Sequence, residues 1–311
     1  MWATSVPGQS YTGPLPPQTA SQALLSDNLR RHVTAIASVP HNIYFRTNLE
    51  NSGNYIEQYL TDLGYKVHLQ KFDAKSHQFR NIEVIVGNDS RNSETLIIGA
   101  HYDSFGKAPG ANDNGSGVAA LLELARLFKE NTMVNGPKIR LVFFVNEEPP
   151  HFKSSNMGSL VYAKAIKNSG ENISGMFSLE TMGYYSDAPN SQSYPWPLNL
   201  RYSSVGNFIA FVGQTSSRSF VRSTVESFRY HTRFPSIGGT APAIATGIDW
   251  SDHWAFEQVG IPALMITDTA IFRYPHYHKI SDTPDKIDYA KLARVIEGLE
   301  AVVRHWGKER G

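Results

Sequence analysis

One stretch constrains the fold of this chain more than any other: the apolar run from Leu96 to Ala100, which ends abruptly in His101 and Asp103. β-Branched residues in a run of this length are typical of a strand that is buried on both faces of a parallel sheet. In open sheets with helices on both faces, ligands bind at the carboxyl ends of the strands. The sequence therefore predicts that His101 and Asp103 lie at a ligand-binding edge.

A glycine-rich loop follows this strand and leads into a helix. Residues 110–117 read Gly-Ala-Asn-Asp-Asn-Gly-Ser-Gly, and residues 118–128 form a strongly helix-forming run. His101 and Asp113 therefore approach one point from opposite sides of a strand-loop-helix turn. An imidazole and a carboxylate together suit a divalent transition metal, and Asp103 is placed to accept the second imidazole proton of His101. On this stretch alone, the alternative is a strand-end histidine that bonds an aspartate without any metal.

Two later strands also end in acidic residues. The run 139–145 is followed by Glu147 and Glu148, and the run 175–179 is followed by Glu180. Adjacent carboxylates repel one another unless a cation or a shared proton relieves the repulsion. Taken alone, the Glu147-Glu148 pair also fits an exposed acidic turn. Three successive strands that each deliver a potential ligand favour a metal site.

The composition restricts both the partners and the types of ligand. The 311 residues, 41% of them hydrophobic, can bury a large core, and a formal net charge of +1 argues against nucleic acid or an anionic membrane as partner. The absence of cysteine excludes disulfides and cysteine-bound zinc, so His, Asp and Glu are the available metal ligands. No stretch is long and apolar enough to cross a bilayer, and the amino terminus lacks the features of a signal peptide. We expect a chain that is soluble as written, with no targeting segment present.

The order of the segments predicts one α/β domain. Residues 1–20, rich in Pro, Gly, Ser and Thr, form an extended amino-terminal segment, and residues 21–311 form a single domain without repeat or linker. Helices and strands alternate, which is typical of three layers, αβα, around a mixed but mostly parallel sheet with an antiparallel hairpin at one edge. Polar stretches around 187–205 and 230–250 are predicted to be loops that rim the site.

A set of motifs along the chain occurs in the order found in a known family. They are His101-x-Asp103, Asn-Asp-Asn-Gly-Ser-Gly at 112–117, Glu147-Glu148, Leu-Glu-Thr-Met-Gly-Tyr at 179–184, Ser-Asp-His at 251–253 and Tyr277-His278. Together they resemble the motifs of the zinc aminopeptidases of peptidase family M28. The resemblance implies the zinc-aminopeptidase fold, which is related to that of the glutaminyl cyclases, and two Zn²⁺ ions per chain.

The resemblance also implies a ligand set, residue by residue. It assigns His101 and Glu180 to one zinc, and Glu148 and His278 to the other. Asp113 is then the carboxylate that bridges the two ions. The position of Glu180 is often an Asp in the family, so the resemblance implies that a longer side chain would hold one metal here.

Catalytic roles follow from the same resemblance. Glu147 is the general base, Tyr277 donates a hydrogen bond to the oxyanion, and Asp252 matches a position that hydrogen-bonds near the base. The sequence departs from the family at residues 149–152, where Pro-Pro-His-Phe replaces glycine-rich sequence and leaves the shape of that rim open. It also lacks the cysteine pair that some secreted relatives carry near the last ligand.

Three functions fit this pattern. The first is an aminopeptidase that hydrolyses the N-terminal peptide bond of peptides with a free N-terminus, and it is favoured because every metal position is filled. The second is a glutaminyl cyclase, which uses one zinc to cyclise N-terminal Gln, although the loop at 112–117 resembles the peptidase version. The third is a non-catalytic, peptidase-like ectodomain, which would be marked by a lost ligand. The resemblance implies an extracytoplasmic location, while the sequence leaves the physiological metal and the oligomeric state open.

Aromatic residues in the late part of the chain bear on the substrate. They are Tyr194, Trp196, Tyr202, Phe272 and Tyr274. We expect these side chains to line an apolar specificity pocket, which would favour large apolar N-terminal residues such as Leu. Packing among the loops themselves is the alternative.

Overall fold

An eight-stranded sheet forms the centre of the part of the molecule that the structure describes. The computed structural model describes residues 5–74, 77–87, 94–131, 137–194, 196 and 198–306. Within these residues the strands are β1 (His68–Ala74), β2 (His77–Val86), β3 (Thr95–His101), β4 (Lys138–Phe144), β5 (Ile173–Glu180), β6 (Ile209–Gln214), β7 (Ser236–Ala241) and β8 (Ala263–Thr267). Their order across the sheet is β1-β2-β4-β3-β5-β8-β6-β7.

The direction of the strands confirms a mixed, mostly parallel sheet. β4, β3, β5 and β8 are parallel to one another, and β6 is parallel to β7. β1 and β2 form the antiparallel hairpin predicted at one edge, and β6 is antiparallel to β8. The four central parallel strands therefore end at the same edge of the sheet.

Helices cover both faces of the sheet and complete the three predicted layers. They are α1 (Ala20–Ile36), α2 (Arg46–Asp62), α3 (Gly117–Glu130), α4 (Gly158–Asn168), α5 (Arg218–His231), α6 (His253–Glu257) and α7 (Tyr289–Arg304). Side chains alternate along β3, so that Leu96 and Ile98 join the core under α1, α3, α5 and α7, while Ile97 packs with α4 and α6. None of the described helices is both long enough and apolar enough to span a bilayer.

One predicted loop contains a strand. Residues 236–241, within the stretch 230–250, form β7, which pairs in parallel with β6 at the edge of the sheet. The strand is not predicted from the sequence Ser-Ile-Gly-Gly-Thr-Ala, because the two glycines contribute no side chains to the alternation of apolar and polar residues that marks a strand. A Cβ on Gly238 would lie 2.7 Å from Val225 Cγ2, so glycine lets α5 approach the strand closely.

The amino-terminal segment lies along the domain. Residues 5–19 are neither helix nor strand, α1 begins at Ala20, and residues 1–4 lie outside the described residues. Arg229 donates hydrogen bonds to the carbonyl oxygens of Pro7 (2.8 Å) and Gly8 (2.9 Å), and Ser10 Oγ accepts the Ser236 N–H (2.9 Å). That residues 21–311 form one domain stays a prediction.

A buried acidic residue, Glu123, joins three helices on one face. Its carboxylate accepts hydrogen bonds from His32 Nε2 (3.1 Å), Asn28 Nδ2 (3.1 Å), Tyr59 Oη (3.1 Å) and Arg126 Nη2 (2.7 Å). Burial alone would raise the pKa of Glu123, but these partners lower it to about 2. We refer to these five residues as the Glu123 cluster.

Candidate active site

The candidate site lies where neighbouring parallel strands end. His101 is the last residue of β3 and Glu180 is the last residue of β5, while Glu147 and Glu148 follow shortly after β4. His101 Nε2 lies 3.2 Å from Glu180 Oε2 and 3.8 Å from Glu147 Oε2. All four residues are buried. The strand-end pattern in the sequence thus brings these side chains to one point.

Asp113 stands between two histidines. Its Oδ1 lies 3.4 Å from His101 Nε2, and its Oδ2 lies 3.0 Å from His278 Nε2. His278 Nε2 is in turn 3.4 Å from Glu148 Oε1. Among the described residues, two groups of three could hold an ion, His101-Asp113-Glu180 and Asp113-Glu148-His278. Asp113 belongs to both groups and Glu147 to neither.

The glycine-rich loop that carries Asp113 is bound to the end of β5. Asn114 Nδ2 donates to the Leu179 carbonyl oxygen (2.8 Å), and Asn114 Oδ1 accepts the N–H of Thr181 (3.2 Å) and that of Gly117 (3.2 Å). A Cβ on Gly117 would lie 2.5 Å from the Leu179 carbonyl oxygen, so only glycine permits this approach. These contacts set the position of Asp113 relative to Glu180.

Sequence reasoning missed Asp282, which supports the same loop from the other side. Its carboxylate accepts the N–H of Asn112 (2.8 Å) and of Asp113 (3.2 Å), and the hydroxyl of Tyr274 (2.6 Å). A lone aspartate about 170 residues away in sequence carries no local signal of this role. Its position shortly after His278 is the one feature that links it to the site.

Asp103 supports the site differently from the prediction. His101 Nδ1 lies 3.0 Å from the main-chain oxygen of Asp103, whereas the Asp103 carboxylate is 3.8 Å away. The carbonyl, which can only accept, therefore takes the second imidazole proton and leaves Nε2 to face the carboxylates. The Asp103 carboxylate instead accepts the N–H groups of Glu147 (3.1 Å) and Glu148 (3.1 Å), and so orients the acidic pair.

Burial and like charge oppose ionisation of Glu147, Glu148 and Glu180, whereas hydrogen bonds from His101 and His278 lower the pKa of Asp113 although burial opposes that shift. Burial, reinforced by the charge of Glu148 and opposed by that of His101, raises the pKa of Glu147 well above its usual range. Burial and the charge of Asp113 raise the pKa of Glu148 to about 8. Although burial opposes the shift, the charges of Glu180 and Glu147 raise the pKa of His101 well above its usual range. Negative charge on these buried carboxylates is therefore energetically unfavourable unless bound protons or cations neutralise it.

The donor set fits two divalent cations. Each group of three offers one imidazole nitrogen and two carboxylate oxygens, which are donors that zinc accepts when thiolates are absent. Asp113 Oδ2 and Glu148 Oε1 are buried, and the structure gives them no hydrogen-bond partner among its described residues. Asp113, Glu147, Glu148 and Glu180 can carry four negative charges, which two divalent cations would balance.

Tyr277 and Asp252 lie beside this site. The Tyr277 ring stacks on that of His278, with 3.8 Å between centroids. Burial and the charge of Asp113 raise the pKa of Tyr277, so its hydroxyl keeps the proton that a donor needs. Asp252 is fully buried, but no hydrogen bond joins it to Glu147 in the described part of the chain. It acts on Glu147 through its charge, which helps to raise the pKa of that residue.

An apolar cavity of about 370 Å³ opens beside Glu180 and Tyr277. Its walls include Val212, Met265 and Ile271, together with four of the five aromatic residues singled out in the sequence: Tyr194, Trp196, Tyr202 and Phe272. The fifth, Tyr274, is instead buried and bonded to Asp282. The cavity is large enough for a bulky apolar side chain next to the candidate metal site.

Comparison with known proteins identifies the family. The model of peptidase family M28 matches residues 81–303, which include every residue of the candidate site from His101 to His278. The chain belongs to peptidase family M28. The uncharacterized protein YfbL of Escherichia coli is 38% identical over 261 residues, which cover 81% of this chain and 79% of that protein. Leucine aminopeptidase 1 of Trichophyton equinum is 26% identical over 300 residues, covering 90% and 73%.

The fold of this M28 protein is also shared with solved structures. The glutaminyl cyclase of Bacteroides thetaiotaomicron, solved with N-acetylhistamine, superposes with a TM-score of 0.66 and 20% identity, covering 93% of this chain and 98% of that one. At this identity the likeness shows the fold alone. The family and its aminopeptidase relatives support a peptidase, whereas the fold by itself is compatible with either reaction.

Proposed function

We propose that this M28 protein is a dinuclear zinc aminopeptidase that prefers large apolar N-terminal residues. The observation that carries the proposal is the position of Asp113, whose two carboxylate oxygens each face a different imidazole. A single bound ion would need one of these groups of three, whereas the chain supplies two groups that share one carboxylate. This is the arrangement that a bridged pair of ions requires.

The proposed ligands divide between the two ions. His101 and Glu180 would hold one, Glu148 and His278 would hold the other, and Asp113 would contribute to both. When bound, the ions would supply Lewis acidity, which lowers the pKa of a coordinated water and polarises the scissile carbonyl. All other steps fall to the side chains of the protein.

Glu147 is the proposed general base. Its carboxylate is buried, lies 3.8 Å from His101 Nε2 and belongs to neither group of three ligands. Burial and neighbouring charge raise its pKa, so the carboxylate holds a proton more firmly than an exposed glutamate does. We propose that it takes a proton from the attacking water and gives it to the leaving amine, while the Tyr277 hydroxyl donates a hydrogen bond to the oxyanion.

An exopeptidase must also recognise the free α-amine of its substrate. The carboxylates of Glu147 and Glu180 are the proposed acceptors for that ammonium group. The apolar cavity begins at Glu180 and Tyr277, so a side chain on the N-terminal residue would enter it when the amine reaches the carboxylates. Peptides with a large apolar N-terminal residue and a free amine are therefore the proposed substrates.

An extracytoplasmic location of the protein is proposed on the family resemblance alone.

A panel of aminoacyl anilides tests this proposal, with N-acetylated forms and N-terminal Gln peptides included. We expect the leucyl and phenylalanyl substrates to be cleaved faster than the alanyl one, and the acetylated forms to be poor substrates. Equal cleavage of free and acetylated substrates would contradict the aminopeptidase assignment. Ring closure of N-terminal Gln without anilide hydrolysis would identify a glutaminyl cyclase.

A further inference from the structure

The two histidines of the candidate site are oriented by different means. His101 is buried on the last residue of a strand, and its Nδ1 is bound to the main-chain oxygen of Asp103. His278 lies in a loop with a left-handed backbone (φ 58°), and its side chain is 28% exposed. Within the described residues, the polar contacts of the His278 ring are made by Nε2, with Asp113 and Glu148, and no hydrogen bond is found for Nδ1. A histidine ligand in a loop that lacks such a hydrogen bond needs other contacts to orient its ring.

Aromatic rings stack on both faces of the His278 imidazole and provide these contacts. Tyr277 stacks on one face, with centroids 3.8 Å apart and an angle of 18° between the rings. Phe105 stacks with centroids 3.7 Å apart and 2° between the rings. Two rings at this distance cannot occupy the same face, so the imidazole lies between them. The sandwich restricts the rotation of the His278 ring and keeps Nε2 directed at Asp113 and Glu148.

Phe105 is itself held by its neighbours. Asn42 Nδ2 donates to the carbonyl oxygens of Ser104 (2.7 Å) and Gly106 (2.7 Å), one on each side of Phe105. Ser104 also exchanges hydrogen bonds with the main chain of His41, since its N–H donates to the His41 oxygen (3.0 Å) and its Oγ accepts the His41 N–H (3.0 Å). These hydrogen bonds fix the backbone around Phe105 to the segment between α1 and α2, and so they fix the position from which the Phe105 ring extends.

We propose that Phe105 is a positioning residue for the metal held by His278, Glu148 and Asp113, in place of the hydrogen-bonded partner that His101 has. The proposal rests on the proposed dinuclear site. It concerns one of the two ions, because Phe105 stacks on His278 and forms no ring contact with His101 among the described residues. Removal of the ring should therefore weaken one metal and leave the other unchanged.

The test is a calorimetric titration of Zn²⁺ into metal-free protein, with wild type, Phe105→Ala and Phe105→Trp compared. We expect two equivalents in wild type. In Phe105→Ala one equivalent should bind about 10-fold more weakly, which is the lower range for loss of a group that orients a ligand. Phe105→Trp, which keeps a stacking ring, should restore most of that affinity.

Two controls separate this role from general damage. Phe72→Ala removes a partly buried phenylalanine from the edge strand β1, and should leave both affinities unchanged. In His278→Ala, which should bind one equivalent, the added Phe105→Ala change should have no effect on that equivalent. If wild type binds two ions and Phe105→Ala binds both with wild-type affinity, or loses both equally, the role of Phe105 is wrong while the dinuclear site stands. If wild type itself binds fewer than two, the proposed function fails first.

Discussion

Two buried acidic clusters of this protein are built on opposite principles. In the Glu123 cluster, one carboxylate is surrounded by donors from His32, Asn28, Tyr59 and Arg126, and its pKa falls to about 2. In the candidate site, several carboxylates face one another across two imidazoles, and the pKa of Glu148 rises to about 8.

The difference shows which cluster is complete. Every donor that the Glu123 carboxylate needs comes from the protein, so this cluster stabilises the fold without any added group. At the candidate site, buried oxygens of Asp113 and Glu148 face His278 Nε2 at 3.0 Å and 3.4 Å, yet they form no hydrogen bond within the described residues. Buried carboxylates that outnumber the cationic groups facing them are costly, and such sites are typical of function. The comparison therefore separates a cluster that the protein completes by itself from one whose residues could hold cations.

The largest effect should come from Glu147→Gln. We expect kcat to fall by about 10²–10⁴-fold, because the lost interaction is a proton transfer in the transition state. Metal content should stay at the wild-type level, since Glu147 lies outside both groups of ligands. The measurement is kcat and metal content on one preparation. Loss of metal, with activity regained on added zinc, would show that Glu147 is a ligand and not the base.

The Glu123 cluster should respond in the opposite way. Glu123→Gln should lower the free energy of unfolding by about 3 kcal/mol, because it leaves buried donors around Arg126 and His32 without their charge partner. Its kcat per folded protein should equal that of wild type. Glu130→Gln is the matched control, because Glu130 pairs with the same arginine at the surface, with 54% of its side chain exposed, and should cost less than about 1 kcal/mol. A lower kcat per folded protein in Glu123→Gln would contradict the purely structural role assigned to the Glu123 cluster.

A smaller effect concerns the loss of stability at acidic pH. The pKa of Glu123 is lower in the folded protein (about 2) than its ordinary value of 4.5. The unfolded chain therefore binds the proton first, and the stability that Glu123 contributes is present above about pH 4.5 and declines as the pH falls towards 2. Between about pH 5 and pH 3, wild type should lose about 2 kcal/mol that Glu123→Gln does not lose. Urea unfolding at both pH values measures this, and equal losses in both proteins would contradict the assignment.

The sequence predicted the edge of the sheet where the site lies, because that edge follows from local signals. Apolar β-branched runs mark the strands, polar residues mark their ends, and parallel strands must end together. His101, Glu147, Glu148 and Glu180 were therefore placed correctly in the fold. The individual ligand and base roles, by contrast, came from resemblance to M28 and remain proposals.

The contacts that the sequence did not reveal are non-local or belong to the main chain. Asp282 binds the loop of Asp113 from about 170 residues away, and Phe105 stacks on a histidine in a distant loop. The proton acceptor for His101 is the main-chain oxygen of Asp103, which any residue could have supplied. Glycines hid β7 because they leave no alternation to detect. Such features depend on the folded geometry and leave no pattern in neighbouring residues.

The central claim, that the candidate site is completed by two divalent cations, is tested most directly by zinc titration of metal-free protein. Wild type, Glu148→Gln and Glu123→Gln are compared, so that one carboxylate is changed in each cluster. We predict about two equivalents in wild type and in Glu123→Gln, and one equivalent with a second, much weaker one in Glu148→Gln. Saturation of wild type below two equivalents, or undiminished binding in Glu148→Gln, would contradict the account.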